Sequence, residues 1–204
     1  METLGELGTL SALLAGISLS AATGLRVFLP VLALGLAARF GVLELGEEFA
    51  WLASDPVLLV MAIAALIEIG AYYVPLIDNL LDTLATPAAI GGGTVIVASL
   101  LPEMQGFLQW GLATLLGGGS AGIVQGTTVI ARGLSTSSTG GLGNPLVATS
   151  ETGGSLIAIL LAFVMPVVFG ILVVLILAWL LVRLIRWFRQ RSTPEAGERP
   201  PQKG

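Results

Sequence analysis

Leu7 to Phe40 is one long apolar stretch with Arg26 and Pro30 in its interior. As a single straight helix it would run ~50 Å, against a hydrocarbon core ~30 Å thick. Either its ends leave the membrane or the helix is broken. Pro30 has no backbone donor and frees the carbonyl of Arg26 four residues back, so a kink or discontinuity is expected between Thr23 and Pro30.

The rest of the chain repeats this character. Of 204 residues 55% are hydrophobic and 11% charged, where soluble domains carry about a quarter charged residues. Mean hydropathy is +0.94. The length suits about five to six spans of ~20 residues. The expected fold is an all-α, polytopic transmembrane bundle of about five spans, one domain over 1–191. The tail 192–204, rich in Pro, Gly and charge, is expected to be disordered and cytoplasmic.

Gly41 to Asp55 is an acidic connector carrying Glu44, Glu47, Glu48 and Trp51. Asp55-Pro56 reads as an N-cap followed by proline at the first helical position. It opens a second span to about Val74 that contains Glu68. Thr86-Pro87 repeats the pattern for a third span, to about Leu101. A fourth runs from about Phe107 to Ile130. Arg132 to Gly154 is then dense in Ser, Thr and Gly. It reads either as a re-entrant loop lining a cavity or as an aqueous loop, with Asn144-Pro145 as a third helix start. The last span, Ser155 to Val182, is expected to kink at Pro166. Arg183, Arg186, Arg189 and Arg191 follow it and set the C-terminus in the cytoplasm of a cell (inner) membrane. Five spans put the N-terminus outside; a hairpin of half-helices in the first segment reverses that. Met1 to Thr9 has no basic residue, so no secretory signal is expected there.

Two small-residue stripes share a spacing of four: Ala12, Gly16, Ser20, Gly24, and Thr114, Gly118, Gly122, Gly126. Each is followed by an arginine (Arg26, Arg132), an Asp/Asn-Pro pair and a glutamate (Glu68, Glu151). This reads as a degenerate duplication or as ordinary recurrence of packing motifs. The stripes suit internal packing or a homo-oligomer alike.

Four stretches in order carry a resemblance. They are Ser20 to Pro30, Asp55-Pro56 with Glu68, Pro75 to Asn79, and Thr139 to Pro145 with Glu151. From about Leu10 to Arg186 the chain resembles the bacterial membrane family labelled domain of unknown function 4126. That likeness brings a family name and no mechanism. The family pattern implies charged residues ahead of Pro75, where this chain has Tyr72-Tyr73. It also implies basic residues and histidine in the fourth helix, where Val124, Gln125 and Thr128 stand. A different substrate is expected on that account.

Arg26 is the sharpest candidate. A charge at the bilayer centre costs at least ~2.5 kcal/mol, so it faces the protein and has a partner. Glu68 is the expected partner, and Arg26, Glu68, Arg132, Asn144 and Glu151 are the candidate substrate- or ion-binding residues. Half-helix N-termini at Pro56 and Pro145 would point positive dipole ends at a polar substrate. Asp78, Asn79 and Asp82 form a weaker candidate cation site, more simply read as a solvated cap. Gly118 to Gly122 has the Gly-x-Ser-x-Gly spacing of serine hydrolases, yet the chain has no histidine or cysteine, and its lysine, Lys203, is in the tail. No enzyme, cofactor, metal or nucleic-acid partner is expected. Trp51, Tyr72, Tyr73, Trp110 and Trp187 read as interfacial aromatics. The function expected is a small-solute or ion transporter or channel. The alternative is a scaffold or lipid- or protein-interacting subunit.

Overall fold

The computed structural model describes residues 2–74, 77–102 and 104–191, without the side chains of 2–7, 78–80, 184 and 187–191. The tail 192–204 and the side chain of Trp187 thus lie outside the described residues. Among the described residues eight α-helices follow in order: α1 (Glu2–Thr23), α2 (Phe28–Arg39), α3 (Asp55–Ala71), α4 (Ile77–Leu100), α5 (Gly106–Ala113), α6 (Gly119–Thr139), α7 (Asn144–Val164) and α8 (Pro166–Arg191). A 3₁₀ helix, Glu47–Ala53, precedes α3, and a π turn, Thr114–Gly118, joins α5 to α6 without a break. Among the described residues four stretches are long and apolar enough to span a bilayer: Leu81–Leu100, Gly106–Thr139, Asn144–Val164 and Pro166–Arg183. The 3₁₀ helix and α3, bent by 59°, make a fifth when taken together. The chain is a multi-pass membrane protein.

The first apolar run breaks within the expected window. Leu25 and Arg26 donate their amides back to the Ala22 carbonyl at 3.0 and 3.1 Å, and the helix resumes at Phe28. Pro30 lies in the first turn of α2, where an amide has no intrahelical partner anyway, so it is tolerated there without kinking the helix. The chain reverses at the break. Thr23, Val27 and Val31 all approach Gly92 of α4, and Gly46, beyond α2, donates to the Ser99 carbonyl near the other end of α4. Gly16 of α1 meets Val97 and Leu100. α1 therefore runs against α4, and α2 runs with it.

Glycine sets how closely the central helices approach. A side chain on Gly93 would fall 2.7 Å from the Gly117 carbonyl oxygen and 2.8 Å from Ala121 Cβ. Gly118 lies against Thr94 and Ile90, and Ser20 donates to the Gly93 carbonyl at 2.9 Å. Both small-residue stripes thus pack on α4 from its two sides, through the close backbone approach that small residues permit. Gly24 at the end of the first stripe touches Ala121 and Val124 of α6 instead, and Gly126 at the end of the second faces open space. The two halves part company beyond their arginines. Asp55-Pro56 opens a helix that runs with α1, whereas Asn144-Pro145 opens one that runs against α6.

Several expected boundaries move. Pro87 sits inside α4 rather than at its start, and the Thr86 hydroxyl bonds back to the Asp82 carbonyl at 3.0 Å instead of capping. Asp55 and Asn144 are first helical residues rather than caps; the cap positions are Ser54 and Gly143, and neither of these makes a side-chain cap. Arg132–Gly154 is neither a re-entrant nor an aqueous loop. α6 continues to Thr139, a turn with positive φ at Gly140 (63°) and Gly141 (92°) follows, and α7 begins at Asn144. Hydroxyls there satisfy themselves on their own helices, as in Thr139 to the Ser135 carbonyl and Ser150 to the Leu146 carbonyl, at 2.7 and 2.9 Å. The expected last span is two helices. Ser155 meets the Ala22 carbonyl, and Ala162 lines a cavity with Ala15, so α7 runs against α1. Gly170 meets Leu14, and Val173 and Leu177 cluster with Ile17 and Ala21, so α8 runs with α1. The chain turns back at Met165 (φ −137°, ψ 56°), ahead of Pro166, whose missing amide hydrogen cannot continue α7.

A side chain on Gly93 must push the helices apart. Gly93→Val is expected to cost about 1–3 kcal/mol, as overpacking does, and to lower the thermal midpoint in detergent. Gly126→Ala, in open space, is expected to leave it unchanged. Equal midpoints for the two variants would refute the seam.

Candidate functional site

At the end of the bundle where α1 breaks, seven side chains gather from α3, α4, α6, α7 and the break. Arg26 has no exposed surface. Its Nε donates to the Thr152 hydroxyl at 2.9 Å, one terminal nitrogen to Glu151 at 3.1 Å, and the other to the Ala148 carbonyl at 2.8 Å. One turn of α7 thus supplies a hydroxyl, a carboxylate and a carbonyl to one guanidinium. Arg132 of α6 binds both oxygens of the same Glu151 carboxylate, through Nε at 3.1 Å and through a terminal nitrogen. Its remaining nitrogen faces Asp82 of α4 at 3.4 Å.

The two guanidiniums would repel each other in so dry a place. Two features offset this. Glu151 lies between them and accepts from both. Tyr72, at the end of α3, has its ring centroid 4.3 Å from the Arg26 guanidinium carbon and 3.8 Å from that of Arg132. An aromatic ring carries negative potential on its face, and each such contact is worth about 0.5–2 kcal/mol. The Tyr72 hydroxyl also donates to Asp82 at 3.4 Å.

Glu68 does something different. Its carboxylate accepts the amides of Val27 and Phe28, at 2.7 and 3.1 Å, and so holds the first amides of α2. Those amides have no partner inside the helix, and the positive end of the helix dipole favours an anion there. Glu68 is therefore not the partner of Arg26; Glu151 is. The difference arises because the Ser-, Thr- and Gly-rich stretch that reads as loop is helix, which brings Glu151 of α7 against Arg26 and Arg132. The half-helix end at the site is that of α2, not the starts at Pro56 or Pro145, and Glu68 occupies it.

Over residues 13–187 the chain matches the family described as Domain of unknown function (DUF4126). The chain belongs to this family. No curated protein matches it, and no solved structure does. Membership establishes kinship and leaves the chemistry of this DUF4126 protein to its own residues.

Four of the five principal candidates share this site: Arg26, Glu68, Arg132 and Glu151. Asn144 lies further out, where its amide donates to Thr136 at 3.1 Å and ties the start of α7 to α6. Of the weaker cation candidates, Asp82 faces Arg132 and Tyr72; the side chains of Asp78 and Asn79 lie outside the described residues. Among the described residues no group of three or more Asp or Glu is placed to hold a metal ion. Ser120 bonds to the Leu116 carbonyl, within its own helix. Every buried side-chain nitrogen and oxygen among the described residues has a partner.

Tyr72 is the residue that sequence reasoning misassigned. It is buried, not interfacial. The available signal was its spacing of four from Glu68, which puts both on one face of α3. Tyr73 and Trp51 do remain half exposed.

Removing Glu151 leaves two buried cations facing each other. Glu151→Ala is expected to cost about 3–5 kcal/mol of stability, as loss of one partner of a buried pair does. Tyr72→Phe keeps the ring and is expected to stay near the parent, while Tyr72→Leu falls clearly below both. Thermal unfolding in detergent ranks the three variants; equal loss in Tyr72→Phe and Tyr72→Leu would remove the ring from the account.

Proposed function

We propose that this protein is a membrane carrier for a small solute or ion, and that the ion network around Arg26 is the closed gate of one side. The carrying observation is an asymmetry between the two ends of the bundle. At the far end from Arg26 an open cavity of about 640 Å³ lies between the start of α1, the connector at Val42–Gly46, the end of α4 and the α7–α8 turn. At the near end Arg26, Glu151, Arg132 and Asp82 clamp the break, α4, α6 and α7 together. Between them the middle of the bundle is packed with Leu19, Leu34, Ile96 and Val97, all fully buried. A cavity open to one side and a bonded seal on the other is the arrangement alternating access requires. Opening the seal means parting Glu151 from its arginines. α2 is short and follows a break, so it is the element suited to move.

The arginine-rich end of α8 lies on the gate side, so the positive-inside rule puts the gate and the C-terminus in the cytoplasm. In a bacterial cell that means the inner membrane, with the cavity facing outward. Transport, rather than catalysis, is the activity proposed, with no nucleic-acid partner.

One observation favours the alternative of a scaffold or lipid- or protein-interacting subunit. The network is fully partnered, and none of its residues lines the cavity. A buried ion network can specify one packing without moving.

The chain has no cysteine, so single cysteines are clean reporters. Cysteines at Ala12 (cavity) and Ala148 (gate end, fully buried) would be labelled with a membrane-impermeant maleimide in oriented vesicles. A carrier predicts rapid labelling at Ala12 from one side. It also predicts that Arg26→Gln raises labelling at Ala148 from the other side while slowing that at Ala12. If Arg26→Gln leaves both rates unchanged in a folded protein, the gate reading is wrong and the scaffold reading stands.

A further inference from the structure

The open cavity has a chemical character that the gate does not share. Its wall is mostly aliphatic: Ala12 and Ala15 of α1, with leucines and prolines of the other elements. Polar groups enter from Thr9, Ser11 and Ser99, and among the described residues Glu44 is the one ionisable residue that lines it, with no arginine or lysine there. The connector that forms part of its wall continues through Glu47 and Glu48, which are exposed. The basic residue of that connector region, Arg39, is engaged with Asp55 at 2.8 Å. The guanidiniums of the bundle are elsewhere: from Ala15 to the end of α1 at Thr23 is roughly 12 Å of packed helix, and Arg26 lies beyond it.

Size narrows the ligand further. About 640 Å³ falls within the ~300–1,000 Å³ typical of pockets for drug-sized molecules. It is far more than a bare metal ion needs. An aliphatic wall with one carboxylate and a few hydroxyls fits a molecule that carries an apolar body and a single positive head. An anion of the same shape would meet Glu44 with no compensating base.

We propose that this cavity binds organic monocations of the amine or quaternary ammonium class, with Glu44 facing the cationic head and the Ala12–Ala15 wall taking the apolar body. This names a substrate class for the carrier and rests on that reading for its biological meaning, but binding itself needs no flux.

The test is equilibrium binding to the full chain in neutral-lipid nanodiscs, with three probes of similar size: benzyltrimethylammonium, its uncharged isostere neopentylbenzene and the anion benzenesulfonate. The cation is expected to bind roughly five- to tenfold tighter than the other two, as one partly exposed charge pair allows. Glu44→Gln is expected to erase that preference while leaving neopentylbenzene binding in place. Ala12→Trp, which fills the space, is expected to weaken all three. Gly126→Ala, away from the cavity lining and in open space, should change none of them. Equal affinity for the three probes, or a cation preference that survives Glu44→Gln, would overturn the proposal; the first of these results would mark the space as a slot for lipid chains. Binding with the expected Glu44 dependence, but no movement of the cation across proteoliposomes, would sink the carrier reading alone. Alternating cysteine labelling without any cation preference would sink this inference alone.

Discussion

Burying Arg26 commits much of the rest of the bundle. A guanidinium brings five N–H donors in a rigid fork and a charge that does not titrate away. With no exposed surface, it must find its acceptors in protein. One turn of α7 supplies three of them, in Ala148, Glu151 and Thr152. That turn can reach Arg26 only because α7 runs against α1 and crosses it at Ala22, where Ser155 approaches. The position of α7 is thus dictated by where α1 breaks. Once Glu151 is there, its second oxygen draws in Arg132 from α6, and the second cation in turn draws in Asp82 from α4 and the ring of Tyr72 from α3.

The break itself is held by a different group. Ending α1 and restarting at α2 leaves amides without carbonyl partners, and in a membrane water cannot cover them. Glu68 takes two of these amides. Its role is to make a helix interruption tolerable at depth, while Glu151 makes a buried arginine tolerable. The two carboxylates look alike in sequence, each following a proline-marked helix start, yet they meet unlike needs.

Beyond this polar end the fold is governed by shape. The seam among α1, α4 and α6 is built on glycine, so backbones touch where side chains would otherwise intervene. Such close packing is rigid, and it isolates the charged end from the cavity at the other. Two environments of opposite character result, one closed and bearing both cations and anions, the other open and, among the described residues, with Glu44 as the acid in its wall. The carrier reading and the cation inference both draw on this separation.

The pattern of apolar runs was enough to determine a polytopic helical bundle, because only helices satisfy their own backbone in lipid. The break near Gly24 and the need of Arg26 for a protein partner were also legible, since both follow from costs that a few residues incur locally. Which carboxylate pairs with Arg26 was not. That choice depends on the relative directions of α1, α3 and α7, and two further facts hid those directions. Ser and Thr between Arg132 and Gly154 look like loop, but hydroxyls that bond to their own helix carbonyls permit helix just as well. Pro166 looks like a kink, but a proline after a non-helical Met165 permits a full reversal. Tyr72 was hard to read for a related reason: an aromatic near a helix end suits an interface, and only the arrival of two arginines over its ring makes it part of a core. Sequence carries the energetic demands of each residue; the tertiary structure decides which neighbour meets them, because helix direction and glycine-set spacing are properties of the whole bundle.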